Sequence, residues 1–356
     1  MKASFLIPFL LSGFLSSTVF SETPPKVLRI GGIFDLSSAA GSQWGAAERN
    51  GFLLAIEDFK KARPEIAVVS LIEDSAYSNR KATAALHKLH SVEGVSAVVG
   101  PTWEVFTSFV PVCESEHIIC LATSANNAAF HRNRPHYSFS FWFAEQDYAE
   151  VLGSAMQKSS YSRIALFADT SSYYDVLVET MKSMLKERIV FTQRFQEGER
   201  DMRTAVVKTP KDVDALAVFL LGDGTAQSFF RQWLSLRRDR PDVYTDDALL
   251  YFDPPFDLAK FSSRIFYSVP DLPASQSAAF ESKHERRFGS RPQAPSGAVA
   301  YDATFILLQC MEQSEQVDKV RDCISAIQGY DGYSGSLSLS GTQSVRERRM
   351  KVLELQ

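Results

Sequence analysis

From residue 26 onward, short runs of β-branched and aromatic residues alternate with longer stretches whose apolar positions recur every three to four residues. This alternation predicts parallel strands linked by crossover helices. A first strand is expected over 27–34 and a first helix over 43–62, with Trp44, Phe52, Ile56 and Phe59 on one face. Strands at 66–72, 95–99 and 118–122, with helices at 82–90 and 103–116, complete one open α/β unit. Beyond 138–142 a second unit follows: helix 145–156, strand 163–167, helix 173–185, strands 189–195 and 215–220, helix 226–236 and strand 249–252. After 265–269 the pattern turns helical over 278–288, 298–311 and 317–327, then closes strand-like at 334–339 and 351–355. The fold class is α/β, with two Rossmann-like open-sheet lobes and more than one crossing between them. Open α/β sheets bind ligands beyond the carboxyl ends of their strands, so the cleft between the lobes is the expected site.

The first 21 residues stand apart from this pattern. Lys2 precedes an apolar run over 5–15, and small and polar residues lead from there to Ser21. Positive, apolar and small in that order is the arrangement of an export leader, and the run is shorter than the roughly 20 residues of a spanning helix. Cleavage near Ser21 and a periplasmic mature chain are expected. With no Cys near that cut, no lipid anchor is expected either. Across 356 residues, 38 Lys and Arg face 42 Asp and Glu, a net charge of −4. Such a balance offers no long-range attraction to a phosphate backbone, so no nucleic-acid partner is expected.

The four cysteines suit an exported protein. Cys310 and Cys323 fall near the facing ends of two expected helices, a spacing that a disulfide can close. Cys113 and Cys120 flank a helix-to-strand turn and could also pair, but burial as a small hydrophobe is the favoured reading of Cys120. No spacing among the four suggests a metal site.

Enzyme signatures are weak. Gly31-Gly32 follows the first strand without the G-x-G-x-x-G spacing that admits a pyrophosphate, and no G-x-S-x-G elbow, P-loop or H-E-x-x-H occurs. His87 and His90 read as a solvated helix face beside Lys88, and the pairs Glu57-Asp58 and Glu73-Asp74 are neighbours along the chain rather than an opposed acid and base. Neither a catalytic residue nor a cofactor is expected. What the loops after the strands do carry is chemistry for holding a small polar molecule: Ser37, Ser38 and Trp44; Thr102-Trp103-Glu104; Thr123 to Asn126; Ser171-Ser172-Tyr173; Gly222-Asp223-Gly224-Thr225. Hydroxyls, amides and backbone N–H groups at helix starts can fix a charged group, and an aromatic wall supplies shape.

An ordered set of short segments carries a resemblance: Gln43-Trp44-Gly45, Asn50-Gly51, Ala55-Ile56-Glu57-Asp58, Val98-Val99-Gly100-Pro101, Leu121 to Asn126, Phe288-Gly289, Ala300-Tyr301-Asp302-Ala303, and Gly332 to Gly341. Together they resemble the periplasmic leucine/isoleucine/valine-binding proteins, the type I solute-binding proteins of ABC importers. The resemblance implies the type I periplasmic binding protein fold, with residues 26–143 and 271–330 in one lobe and 144–270 and 331–356 in the other. It implies a monomer that captures an amino acid or related compound and delivers it to an inner-membrane ABC permease. A ligand-sensing module of the same fold is the alternative.

By the same resemblance, Trp44 lines the first-lobe pocket, Ser124 and Asn126 meet the ligand's carboxylate and ammonium, Glu145 is an acid at the lobe crossover, and Tyr173 closes over the ligand. Trp103-Glu104 stand where the family has a ligand-binding Ser after Gly-Pro. Asp223 stands at a family aromatic position, and Pro254 or Pro255 at the place of the ammonium-binding Glu. Acids at Glu104 and Asp223 would repel a carboxylate and favour a cationic or amide-bearing ligand.

Overall fold

The structure is a computed structural model; it describes residues 26–39, 41–126, 135–196, 198–222, 224–251, 256–261, 264–339, 341, 343–345 and 348–355, without the side chains of Glu104, Tyr251 and Ala259. The leader expected over 1–21 lies outside the described residues. So do Asp223, Pro254 and Pro255.

The chain starts in β1 (Val27–Phe34), α1 (Ser42–Ala62), β2 (Ala67–Asp74), α2 (Asn79–His87), β3 (Ala97–Val99), α3 (Val110–Glu116), β4 (Ile119–Ala122) and β5 (Ser138–Ser140). These strands form one parallel sheet in the order β2-β1-β3-β4-β5. Both faces are covered, which is why β3 and β4 are buried throughout and read as continuous apolar runs. The helix expected over 103–116 is two pieces, a 3-10 turn at Trp103–Ser108 and then α3.

A first crossing leads to α4 (Glu145–Lys158), β6 (Ile164–Asp169), α5 (Ser172–Leu185), β7 (Ile189–Phe195), α6 (Arg203–Lys208), β8 (Ala215–Phe219), α7 (Thr225–Leu236), β9 (Asp242–Asp246) and β10 (Ile265–Pro270). The expected strand at 249–252 is not one. The strand is β9, a few residues earlier, and a 3-10 turn occupies Asp247–Tyr251. Acids stand at both ends of β9, so its apolar signal is weak, whereas the apolar run after it attracts the strand reading.

The chain then returns to the first lobe as α8 (Ala274–Phe288), α9 (Ser296–Gln313) and α10 (Val317–Ser325). α9 packs along α1 more extensively than any other pair of elements. Gly51 permits this approach, because a Cβ there would strike the Gly297 carbonyl. α8 is tied to α1 as well, where the Asn50 amide and the His284 ring hydrogen-bond at 3.0 Å.

Residues 331–339 and Gly341, expected with the second lobe, are bonded to the first. The hairpin of β11 (Tyr330–Gly332) and β12 (Gly335–Leu337) presents the Tyr333 and Ser334 N–H groups to the buried Asp302 carboxylate of α9, at 2.9 and 2.7 Å. Leu339 N–H donates to the Ile327 carbonyl and Gly341 N–H to that of Ser325. Only β13 (Met350–Glu354) joins the second sheet, antiparallel to β10 at its edge, in the order β13-β10-β9-β8-β6-β7. The buried carboxylate of Asp302 supplies the acceptors that hold this hairpin back.

Both cysteine pairs are disulfides. Cys310 and Cys323 tie α9 to α10 with Cα atoms 5.7 Å apart, and Cys113 and Cys120 tie α3 to β4 at 6.3 Å. The reading of Cys120 as only a small hydrophobe is thereby corrected. It is fully buried, but bonded. Among the described residues no helix is long and apolar enough to cross a membrane.

Candidate functional site

One cleft opens between the carboxyl ends of the two sheets, enclosing about 710 Å³ of non-atom space, open water included. Its first-lobe wall is aromatic. Trp44, on the first turn of α1, has its ring centre 5.7 Å from Trp103 and 5.6 Å from Trp142, and Trp103 meets Tyr77 at 5.5 Å.

A buried carboxylate sets this wall. Glu48, fully buried one turn along α1, accepts from the Thr102 hydroxyl at 2.5 Å, from the Thr123 hydroxyl at 2.7 Å, and from Ser124. Burial pushes its pKa up against these hydrogen bonds, with Asp35 adding repulsion. Ser124 in turn accepts from the Trp103 N–H at 2.9 Å. Its hydroxyl therefore links the Trp103 backbone to Glu48 and fixes the loop that carries the indole.

The second-lobe wall combines tyrosines with acids. Ser171 caps α5 by accepting from the Tyr174 N–H, so the start of that helix presents Tyr173 and Tyr174 to the cleft. Tyr148 of α4 meets Tyr173 edge to face at 6.2 Å. At the end of β9 stand Asp246 and Asp247, both buried. Desolvation pushes Asp246 up to about 7 even though the Ala248 N–H and the Tyr173 and Tyr174 hydroxyls hydrogen-bond to it. Burial and the neighbouring Asp246 charge hold Asp247 well above the carboxylate range. Glu145, the first residue of α4, completes the acidic side.

Trp44, Trp103, Ser124, Glu145 and Tyr173 are thus brought together around the cleft. Asn126 is placed elsewhere, among the bonds that join the crossings. Its amide donates to the Trp142 carbonyl at 2.8 Å and accepts from the Ser344 hydroxyl at 3.0 Å, while its own carbonyl accepts from the Glu145 N–H at 3.2 Å. The side chain of Glu104 and the whole of Asp223 lie outside the described residues. Among the described residues, Asp246 and Asp247 bring acid to the cleft. A strand expected at 249–252 hides these two acids; with β9 in place, a pair of acids at a strand's carboxyl end is the signal that finds them.

Two open sheets, three crossings and one cleft between carboxyl ends define a two-lobed α/β binding fold. The chain belongs to the periplasmic binding protein family, whose pattern it matches over residues 27–356. No curated protein matches the sequence. Among solved structures it resembles the branched-chain amino acid transporter substrate-binding protein LivJ from Streptococcus pneumoniae, solved with isoleucine: TM-score 0.78, 18% identity, 93% of this chain and 100% of that one. A periplasmic binding protein type 1 from Bordetella pertussis gives TM-score 0.81 at 17% identity, covering 92% and 96%. A solute-binding protein of an ABC transporter from Rhodopseudomonas palustris BisB5, in complex with 3,4-dihydroxybenzoic acid, gives 0.76 at 13% identity and 93% of both chains.

Proposed function

We propose that the protein is an extracytoplasmic solute-binding protein that captures a small organic molecule between two closing lobes and hands it to an ABC importer, acting as a monomer after removal of residues 1–21. The observation that carries this reading is the composition of the cleft, whose two walls come from different lobes and present aromatic rings, hydroxyls and carboxylates toward one space. Groups held on opposing lobes gain from being brought together around a ligand, because closure excludes water and strengthens each polar contact. The crossings through Asn126, Ser140 and Ser344 supply the hinge for that motion.

The experiment is thermal unfolding of the mature chain, stripped of carried-over ligand by partial unfolding and dialysis, against amino acids, amines, amides, aromatic acids and sugars. A ligand at about 100 times its dissociation constant adds roughly 2.7 kcal/mol, which is several degrees in a protein of this size. The shift should come with a smaller radius of gyration by X-ray scattering. No shift with any class would overturn the reading.

A further inference from the structure

Among its described lining residues, the cleft holds acid without base. Glu145, Asp246 and Asp247 line it at 3%, 2% and 5% exposure, and no Lys, Arg or His stands among its described lining residues. Asp246 is met by two tyrosine hydroxyls and a backbone N–H, whereas the buried Oδ2 of Asp247 has no hydrogen-bond donor in reach among the described residues. A buried carboxylate oxygen left in that state is costly unless a ligand brings the donor.

Two further observations give the sign and shape of that ligand. Rings of Trp44, Tyr77, Trp103, Trp142 and Tyr148 surround the space, and their faces attract cations. Four backbone donors along the cleft that could greet an anion are already engaged: Trp103 N–H with Ser124, Tyr174 N–H with Ser171, Leu221 N–H with Asp169, and Ala248 N–H with Asp246. Ser124, which the resemblance assigns to a ligand carboxylate, spends its hydroxyl between Trp103 and Glu48.

We infer that the ligand is an organic cation with no carboxylate of its own, an alkyl or aryl amine whose ammonium group faces Asp246 and Asp247 while its carbon body lies against the tryptophans. This rests on the solute-capture reading and narrows it to one charge class, unlike the isoleucine and dihydroxybenzoate held by the similar structures.

Calorimetric titration with matched probes tests it. 3-Methylbutylamine, leucine and 4-methylpentanoate share one branched skeleton and carry a cation, a zwitterion and an anion; benzylamine and benzoate form a second pair. The amines should bind at least tenfold tighter than leucine, with no heat from either acid. Asp247→Asn should weaken amine binding at least tenfold, and Asp247→Glu, which keeps a carboxyl that can give its proton up in the field of a bound ammonium, should retain most of it; circular dichroism reports whether both variants fold. Leucine or an acid binding as tightly as its matching amine overturns the inference, and so does equal amine binding by Asp247→Asn and wild type. If a solute of another class shifts the unfolding temperature and no amine does, capture stands and the cation assignment falls. If no solute of any class does so, both fall together.

Discussion

Tyr77 and Trp103 meet edge to face with ring centres 5.5 Å apart, and both hold their backbones in the left-handed region, at φ +50° and +53°. A non-glycine residue there costs roughly 1–2 kcal/mol, and two such residues in contact at one wall of a cleft mark a place where shape was kept against backbone preference. Trp103→Gly relieves the strain and removes the ring. Its effects on stability should offset to within about 1 kcal/mol, because relief of the strain opposes the loss of a half-buried indole. Ligand affinity should fall at least tenfold. Urea unfolding and titration of the same variant check the two halves; unchanged affinity would remove Trp103 from the site.

The architecture was legible because β3, β4 and β6 are buried on both faces and read as near-continuous apolar runs, β1 is buried from Ile30 onward, and α1 and α5 keep a clear apolar stripe. The acidic half of the site was not. β9 reads Asp-Val-Tyr-Thr-Asp, and a strand whose ends are buried acids lacks the pattern by which strands are found. Its Asp242 is satisfied by Arg264 and Tyr161, partners far away in sequence, so nothing local announces its burial. Asn126 was drawn toward the ligand by its loop. Its partners Trp142 and Ser344 lie 16 and 218 residues away, and only the folded chain brings them together.

That placement of Asn126 makes it a joint between crossings, and Asn126→Ala separates the two roles. Both groups bonded by its amide are buried, so truncation leaves a carbonyl and a hydroxyl without this partner, at about 1–3 kcal/mol. Urea unfolding should show that loss. The ranking of ligands should be unchanged even where every affinity shifts, since a joint alters the closing equilibrium and not the contacts. A change of rank order would return Asn126 to the ligand.

The disulfides close loops with sequence separations of 13 and 7 residues. In the chain-entropy picture these constrain the unfolded state by about 3 and about 2.5 kcal/mol. Replacing Cys310 and Cys323 together by Ala should lower the free energy of unfolding by that larger amount, and reductant should then act only through Cys113 and Cys120. Wild-type protein whose denaturant midpoint does not move under strong reductant would contradict the assignment.

The buried acids make the stability of the ligand-free protein fall as pH rises. Asp246 sits near 7 and Asp302 near 6 in the folded state, each raised mainly by desolvation above an ordinary value of 3.8. Between about pH 4 and 7 the folded chain therefore binds more protons than the unfolded one, and linkage requires stability to drop through that window as pH increases. Carboxyls shifted the other way, such as Asp58 and Asp74 with Lys283 and backbone partners and Asp201 with Arg203, lose their contribution only below about pH 4. Urea unfolding should thus give a higher free energy at pH 5.5 than at pH 8. Asp246→Asn, which removes the buried charge and keeps the shape, should stabilise the protein at pH 8 by on the order of 2 kcal/mol and flatten the slope. A free energy that is level or rising from pH 5.5 to 8 in the wild-type chain would mean that water reaches Asp246 and Asp247 in the open cleft and leaves them ionised.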